Sequence, residues 1–173
     1  IEQMDRLERD DGAGQDYAYR NLRVSLNTDE ILARTLRNNN TAVLPVVFMW
    51  SDEETRHIQA GAALRSLEAL LPNAIQPARG DGSRAALRHM HAPRGLIVSI
   101  PELQAAARAS GYINMSPDND GTLRRAALAV HYQGRLFPSA DLQAARMLLG
   151  MPQIALKTSA YGITAIELGN RVL

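Results

Sequence analysis

Apolar residues recur along this chain in two alternating rhythms, and the alternation sets the expected order of elements. A charged stretch over 1–25, with Gly12 and Gly14, reads as a lead-in or partial helix. At Asn27 or Thr28 a cap opens a helix, with Asp29 and Glu30 near its positive end. Ile31, Leu32, Thr35 and Leu36 mark its apolar side, and the asparagines at 38–40 stop it. A nearly unbroken apolar run then reads as a strand over 41–50, as in a sheet covered on both faces. Ser51 with Asp52, Glu53 and Glu54 starts another helix, with Ile58, Ala62, Leu64, Leu67 and Leu71 as core positions. Pro72, Pro77, Gly80 and Gly82 punctuate a loop, and the second half of 51–95 carries no clear period.

GLIVSI at 95–100 reads as a short buried strand. Pro101 suits a first helical turn, so PELQAAARAS is expected to be a helix that Gly111 closes with a left-handed cap. From Tyr112 the chain extends, turns between Pro117 and Gly121, and runs as strand over 122–132. Gln133-Gly134 makes a hairpin turn. Pro138 starts a further helix, closed by Gly150 in the same manner. Strands at 154–158 and 163–168 flank a turn near Tyr161-Gly162, and Gly169-Asn170 turns into a last extended piece. These elements predict an α/β fold, a mixed sheet with covering helices and a C-terminal antiparallel hairpin region, in a single domain over 1–173.

Composition narrows the function classes. An apolar share of 46% and a charged share of 21% are ordinary for a globular protein able to bury its own core. A net charge of +1 provides no general attraction to nucleic acid or anionic lipid, and the basic residues are interleaved with acids. Cysteine is absent, which removes disulfides, thiolate nucleophiles and thiolate metal sites. No apolar run reaches the roughly 18 residues of a membrane span, and the N-terminus lacks a signal-peptide pattern. The chain starts without Met and stops at GNRVL, in an extended segment, so it is expected to be a piece of something longer.

The chemistry-bearing residues concentrate in GYINMSPDNDGTLRR at 111–125. Asp118, Asp120 and Gly121 fall on the third, fifth and sixth places of a calcium loop, but Ser116 holds the first place and Ala127 the twelfth, where a bidentate Glu belongs. A turn whose carboxylates accept backbone N–H groups accounts for the same residues. Asn114 would bridge this corner by its amide, with Arg124 and Arg125 as charge partners on opposite faces of the strand. His89 and His91 lack a third ligand nearby, and His57 and His131 are isolated, so solvated histidines are expected and no metal. A nucleophile elbow and a phosphate-binding loop are both missing from the sequence.

The stretch 101–150 resembles the second type of CHASE domain, the sensory extracellular modules associated with cyclases and histidine kinases. The resemblance rests on Pro101, the alanines at 105–107, Gly111, Asn114, Pro117-Asp118-Asn119-Asp120-Gly121, Arg124-Arg125, Gly134, Pro138-Ser139 and Leu149-Gly150, in that order. Upstream, 29–36 and the apolar strand at 42–48 are also similar to the family, as is 166–173 downstream. The family's usual opening strand with aspartates and its closing Gly-Lys-led strand are not found. The resemblance implies an extracytoplasmic sensory domain of a bacterial transmembrane receptor, on the periplasmic or extracellular side. Flanking helices outside this chain would join it to an adenylate or guanylate cyclase, a histidine kinase or a serine/threonine kinase. The domain itself would have no catalytic activity and no cofactor. Its stimulus, a small molecule or an environmental change, is unidentified, and a homodimer is compatible. A polar constellation of Asn114, Asp118, Asp120, Arg124 and Arg125 would bind a ligand or brace the structure. A soluble α/β hydrolase or transferase and a pure dimerisation module are the alternative readings.

Overall fold

The computed structural model describes residues 27–75, 87, 90, 92–115, 118–124, 126–150, 153–159 and 162–172. The expected lead-in over 1–25, the loop containing Pro77, Gly80 and Gly82, His89, His91, Pro117, Arg125 and Tyr161 lie outside the described residues.

Helix α1 spans Thr28–Asn39. Asn27 Oδ1 accepts from the Glu30 N–H at 3.3 Å, and Asp29 and Glu30 occupy the first turn. Asn40, at φ 49°, ends the helix in the left-handed conformation and donates its N–H to the Leu36 carbonyl. The apolar side differs from the sequence reading. Ala33 is buried, whereas Ile31 and Leu32 are exposed, because α1 lies against a short helix, α4 (Pro101–Ala106), through its small residue.

Strand β1 (Val43–Met49) is the centre of a mixed three-stranded sheet, flanked by β2 (Gly95–Ile97) and β3 (Ala109–Tyr112). It pairs antiparallel with β2, Phe48 opposite Leu96, and parallel with β3, Val46 opposite Tyr112. Val46 and Phe48 are buried while Pro45 and Val47 are exposed, so β1 follows the two-residue alternation of a strand with one dominant buried face. The expectation of a strand covered on both faces is corrected accordingly, since Pro45 and Val47 are exposed.

The region after β1 holds two helices. In α2 (Asp52–Thr55) a capping box operates: Ser51 Oγ accepts from the Glu54 N–H, and Glu54 Oε2 accepts from the Trp50 and Ser51 N–H groups. Helix α3 (Ala60–Leu70) follows, ending in a 3₁₀ turn at Leu71–Asn73. Leu70 is its buried anchor, and Leu64, expected in the core, is exposed.

Helix α4 stops at Ala106, four residues short of the sequence expectation. The Ala42 carbonyl accepts from the N–H groups of Arg108 and Ala109, which draws the chain into parallel pairing with β1. Tertiary pairing here overrides the helix propensity of the alanine run. Gly111 is therefore a buried strand residue and not a helix cap.

Strands β4 (Ala129–Tyr132) and β5 (Arg135–Pro138) form the expected hairpin, shorter than the 122–132 strand read from sequence. Gln133 and Gly134 both have positive φ, the signature of the turn that matches strand twist. Pro138 ends β5, and Ser139 caps α5 (Ala140–Leu148) by accepting from the Leu142 N–H at 3.1 Å. A three-stranded antiparallel meander of β6 (Ile154–Ser159), β7 (Gly162–Leu168) and β8 (Arg171–Val172) completes the described chain.

The hairpin faces two apolar clusters. Val130, Tyr132 and Phe137 pack with Val46, Phe48, Leu70, Leu96 and Tyr112. Ala129 and Leu136 pack with Ile75, Leu142 and the meander residues Ile154, Leu156, Ile166 and Leu168. Adjacent residues of one strand, Leu136 and Phe137, thus serve opposite sides.

Candidate functional site

The acidic turn closes on itself. The Gly121 N–H donates to the Asp118 carbonyl at 2.8 Å, and the Asp118 N–H to the Thr122 carbonyl at 3.0 Å. Gly121 adopts φ 79°, which glycine reaches without a Cβ penalty. Arg124 spans both carboxylates: Nη2 meets Asp120 Oδ2 at 2.8 Å and Nη1 meets Asp118 Oδ2 at 3.2 Å. With the side chains of Arg124 and Asp120 each 55% exposed, solvent screens this pairing, so it orders a surface corner more than it stabilises the fold.

The Arg124 guanidinium, helped by the Thr122 backbone, lowers the Asp120 pKa to about 2. A carboxyl depressed in the folded state adds stability above its usual titration near about 4, and loses it as pH falls towards the folded value. Asp120→Asn is therefore expected to unfold slightly earlier than the parent in urea at pH 6. The gap should close as the pH drops from about 4 to about 2. A gap independent of pH would contradict this account of the corner.

Asn114 does something else. Its Oδ1 accepts from the Phe48 N–H at 2.7 Å, and its Nδ2 donates to the Phe48 carbonyl at 2.8 Å. The amide thus behaves as one residue of an added strand, holding the segment after β3 against β1. The structure brings Asp118, Asp120 and Arg124 together and places Asn114 on the sheet, not on the acidic corner. Beside it, the buried Tyr112 hydroxyl donates to the Ala127 carbonyl, and burial, then the charge of Asp141, pushes its pKa upwards.

A second polar cluster escaped the sequence reading. Gln143 of α5 is completely buried; its Nε2 donates to the Ser110 carbonyl at 3.0 Å and to Asn73 Oδ1 at 3.3 Å. Asn73 Oδ1 also accepts from the Ser110 N–H at 2.7 Å, and Gln104 Nε2 donates to Ser110 Oγ at 2.6 Å. One short segment of β3 is thereby tied to α4, α5 and the 3₁₀ turn. Outward from this knot, Gln143 Oε1 accepts from Arg146 Nη1 at 3.2 Å. The available sequence cue was a glutamine directly after Leu142 in the helix expected before Gly150. Nothing local announces its partners, which come from residues 33 and 70 positions away.

Arg146 and Arg108 border a cleft of about 760 Å³ between the start of β1, the α4–β3 turn and the C-terminal end of α5. Val43, Ala109, Ala144 and Met147 supply apolar lining. Among the described residues, no three His, Asp or Glu side chains converge as a metal site would need. His57 is exposed, whereas His131 lies half-buried within β4, which corrects its reading as a solvated histidine.

Residues 3–172 match the family model of the CHASE2 domain. Comparison with the curated proteins and with the solved structures finds no match.

Proposed function

From a chain that belongs to the CHASE2 domain family, a family of extracytoplasmic sensory domains found in receptors and not catalytic themselves, we infer a module that reports a stimulus across the membrane. The output would be an adenylate or guanylate cyclase, a histidine kinase or a serine/threonine kinase. The observation that carries this reading is the family match over nearly the whole chain. Among the described residues no helix is long and apolar enough to cross a membrane, so the reading places the spanning segments outside them.

A stimulus acts only through a difference in affinity for two arrangements of the domain. The β4–β5 hairpin supports that reading, because its two faces belong to separate apolar clusters and it offers a shift of one cluster a route to the other.

Absence of cysteine from the chain makes the test direct. Glu68→Cys places a thiol on the exposed side of α3. In cells expressing the full-length receptor, a membrane-impermeant maleimide is expected to label this variant above the unsubstituted background without lysis. Labelling that requires lysis of the cytoplasmic membrane would overturn the extracytoplasmic assignment.

A further inference from the structure

We propose that the cleft bordered by Arg108 and Arg146 binds a small carboxylate with an apolar body. This names a ligand class for the sensory reading and rests on that reading for its biological meaning, while the binding itself is tested apart from signalling.

The cleft has the size and mixed character of a small-molecule site. Its volume of about 760 Å³ falls in the usual range of about 300–1,000 Å³. Its apolar lining from Val43, Ala109, Ala144 and Met147 suits a short hydrocarbon. The charged side chains among the described lining residues are both guanidinium groups, and Asn40 and Thr41 add neutral polar atoms. Guanidinium forks match a carboxylate in shape as well as charge.

The two arginines are held in different ways. The Arg108 backbone N–H donates to the Ala42 carbonyl, which fixes the main chain of the α4–β3 turn beside the lead-in of β1 and leaves the Arg108 side chain exposed. Arg146 donates to Gln143 Oε1, and Gln143 is locked in the core by Ser110 and Asn73. Ordering the Arg146 guanidinium group before a ligand arrives reduces the entropy lost on binding. Capping of a helix C-terminus explains one of these residues only. Arg146 belongs to the last turn of α5, but Arg108 lies in a turn outside any helix. The two like charges also act on each other: burial, then the charge of Arg108, lowers the pKa of Arg146. A carboxylate seated between them relieves that repulsion.

Titration calorimetry of the 173-residue chain with hexanoate, benzoate and succinate, with hexanamide and inorganic phosphate as comparators, tests the assignment. At least one monocarboxylate with an apolar body is expected to bind, more tightly than phosphate, with no binding of hexanamide. Arg108→Gln, at an exposed position, and Arg146→Gln should each weaken it about tenfold or more. Arg146→Lys, which keeps the charge and loses the fork, should lie between. Absence of binding by both hexanoate and benzoate, equal binding of the amide, tighter binding of phosphate, or unchanged affinity in Arg108→Gln would each overturn the proposal. Loss of binding beside intact surface labelling of the receptor removes the ligand class and leaves the sensory reading standing. Retained binding beside cytoplasmic labelling does the reverse.

Discussion

Gly111→Ala is expected to destabilise the chain by at least about 3 kcal/mol, the upper end of what overpacking a core costs. A Cβ built on Gly111 meets the Ala140 backbone nitrogen at 2.5 Å, the Ala140 Cα at 2.6 Å and the Ser139 carbonyl carbon at 2.7 Å. All three are backbone atoms at the start of α5, so no rotamer change can make room. The helix must move away from β3, and three things fail together when it does. Tyr112 loses its bridge to Ser139, the Ser139 cap is disturbed, and Gln143 is pulled from the Ser110 carbonyl in a buried setting. For a domain of this size 1 kcal/mol corresponds to roughly 2–4 °C, so the melting temperature should fall by about 6–12 °C or the chain should not fold. A melting temperature within about 2 °C of the parent would show that β3 and α5 are not in this contact.

Gly111 also shows how far the sequence could be read. A glycine after PELQAAARAS carries the local signature of a helix stop, and local signals are all a single sequence displays. Where the structure is decided locally, the reading agrees with it. Asn27 and Ser51 cap helices, Gln133-Gly134 turns the hairpin, and the mixed α/β sheet with its antiparallel C-terminal strands is present. Where a distant partner decides, the reading goes astray. The alanines at 107 and 109 leave the helix because Ala42 and β1 offer pairing, and Ile31 and Leu32 are left exposed because Ala33 packs on α4. Asn114 was expected in the acidic corner since Asp118 is close in sequence, yet its partner Phe48 is 66 residues away. The Arg108 and Arg146 cleft is the extreme case, for neither arginine has a telling neighbour in the sequence and only the packing of α5 on β3 brings them to one place.

Phe48→Ala carries the second large expected effect, a loss of about 3–5 kcal/mol, as for other buried aromatic truncations. Phe48 is 1% exposed near the C-terminal end of the central strand, and its ring sits 5.5 Å from Tyr132, 6.1 Å from Tyr112 and 6.2 Å from Phe137. Those rings come from β3, β4 and β5, so one truncation removes the shared contact of the mixed sheet with the hairpin. Phe48→Leu, which retains most of the volume, should cost clearly less. The variant also reports on how the two apolar clusters are joined. Trp50, the only tryptophan, packs against the first cluster, so its fluorescence follows that cluster, while far-ultraviolet circular dichroism follows the whole fold. Because Leu136 and Phe137 are consecutive residues of β5 facing different clusters, loosening one cluster should loosen the other, and the two urea transitions should stay coincident in Phe48→Ala. Separate midpoints would mean that the meander side survives the loss of the first cluster. The hairpin would then be a hinge between independently stable halves, not a rigid coupling, and a stimulus received on one side would have no mechanical route to the other through it.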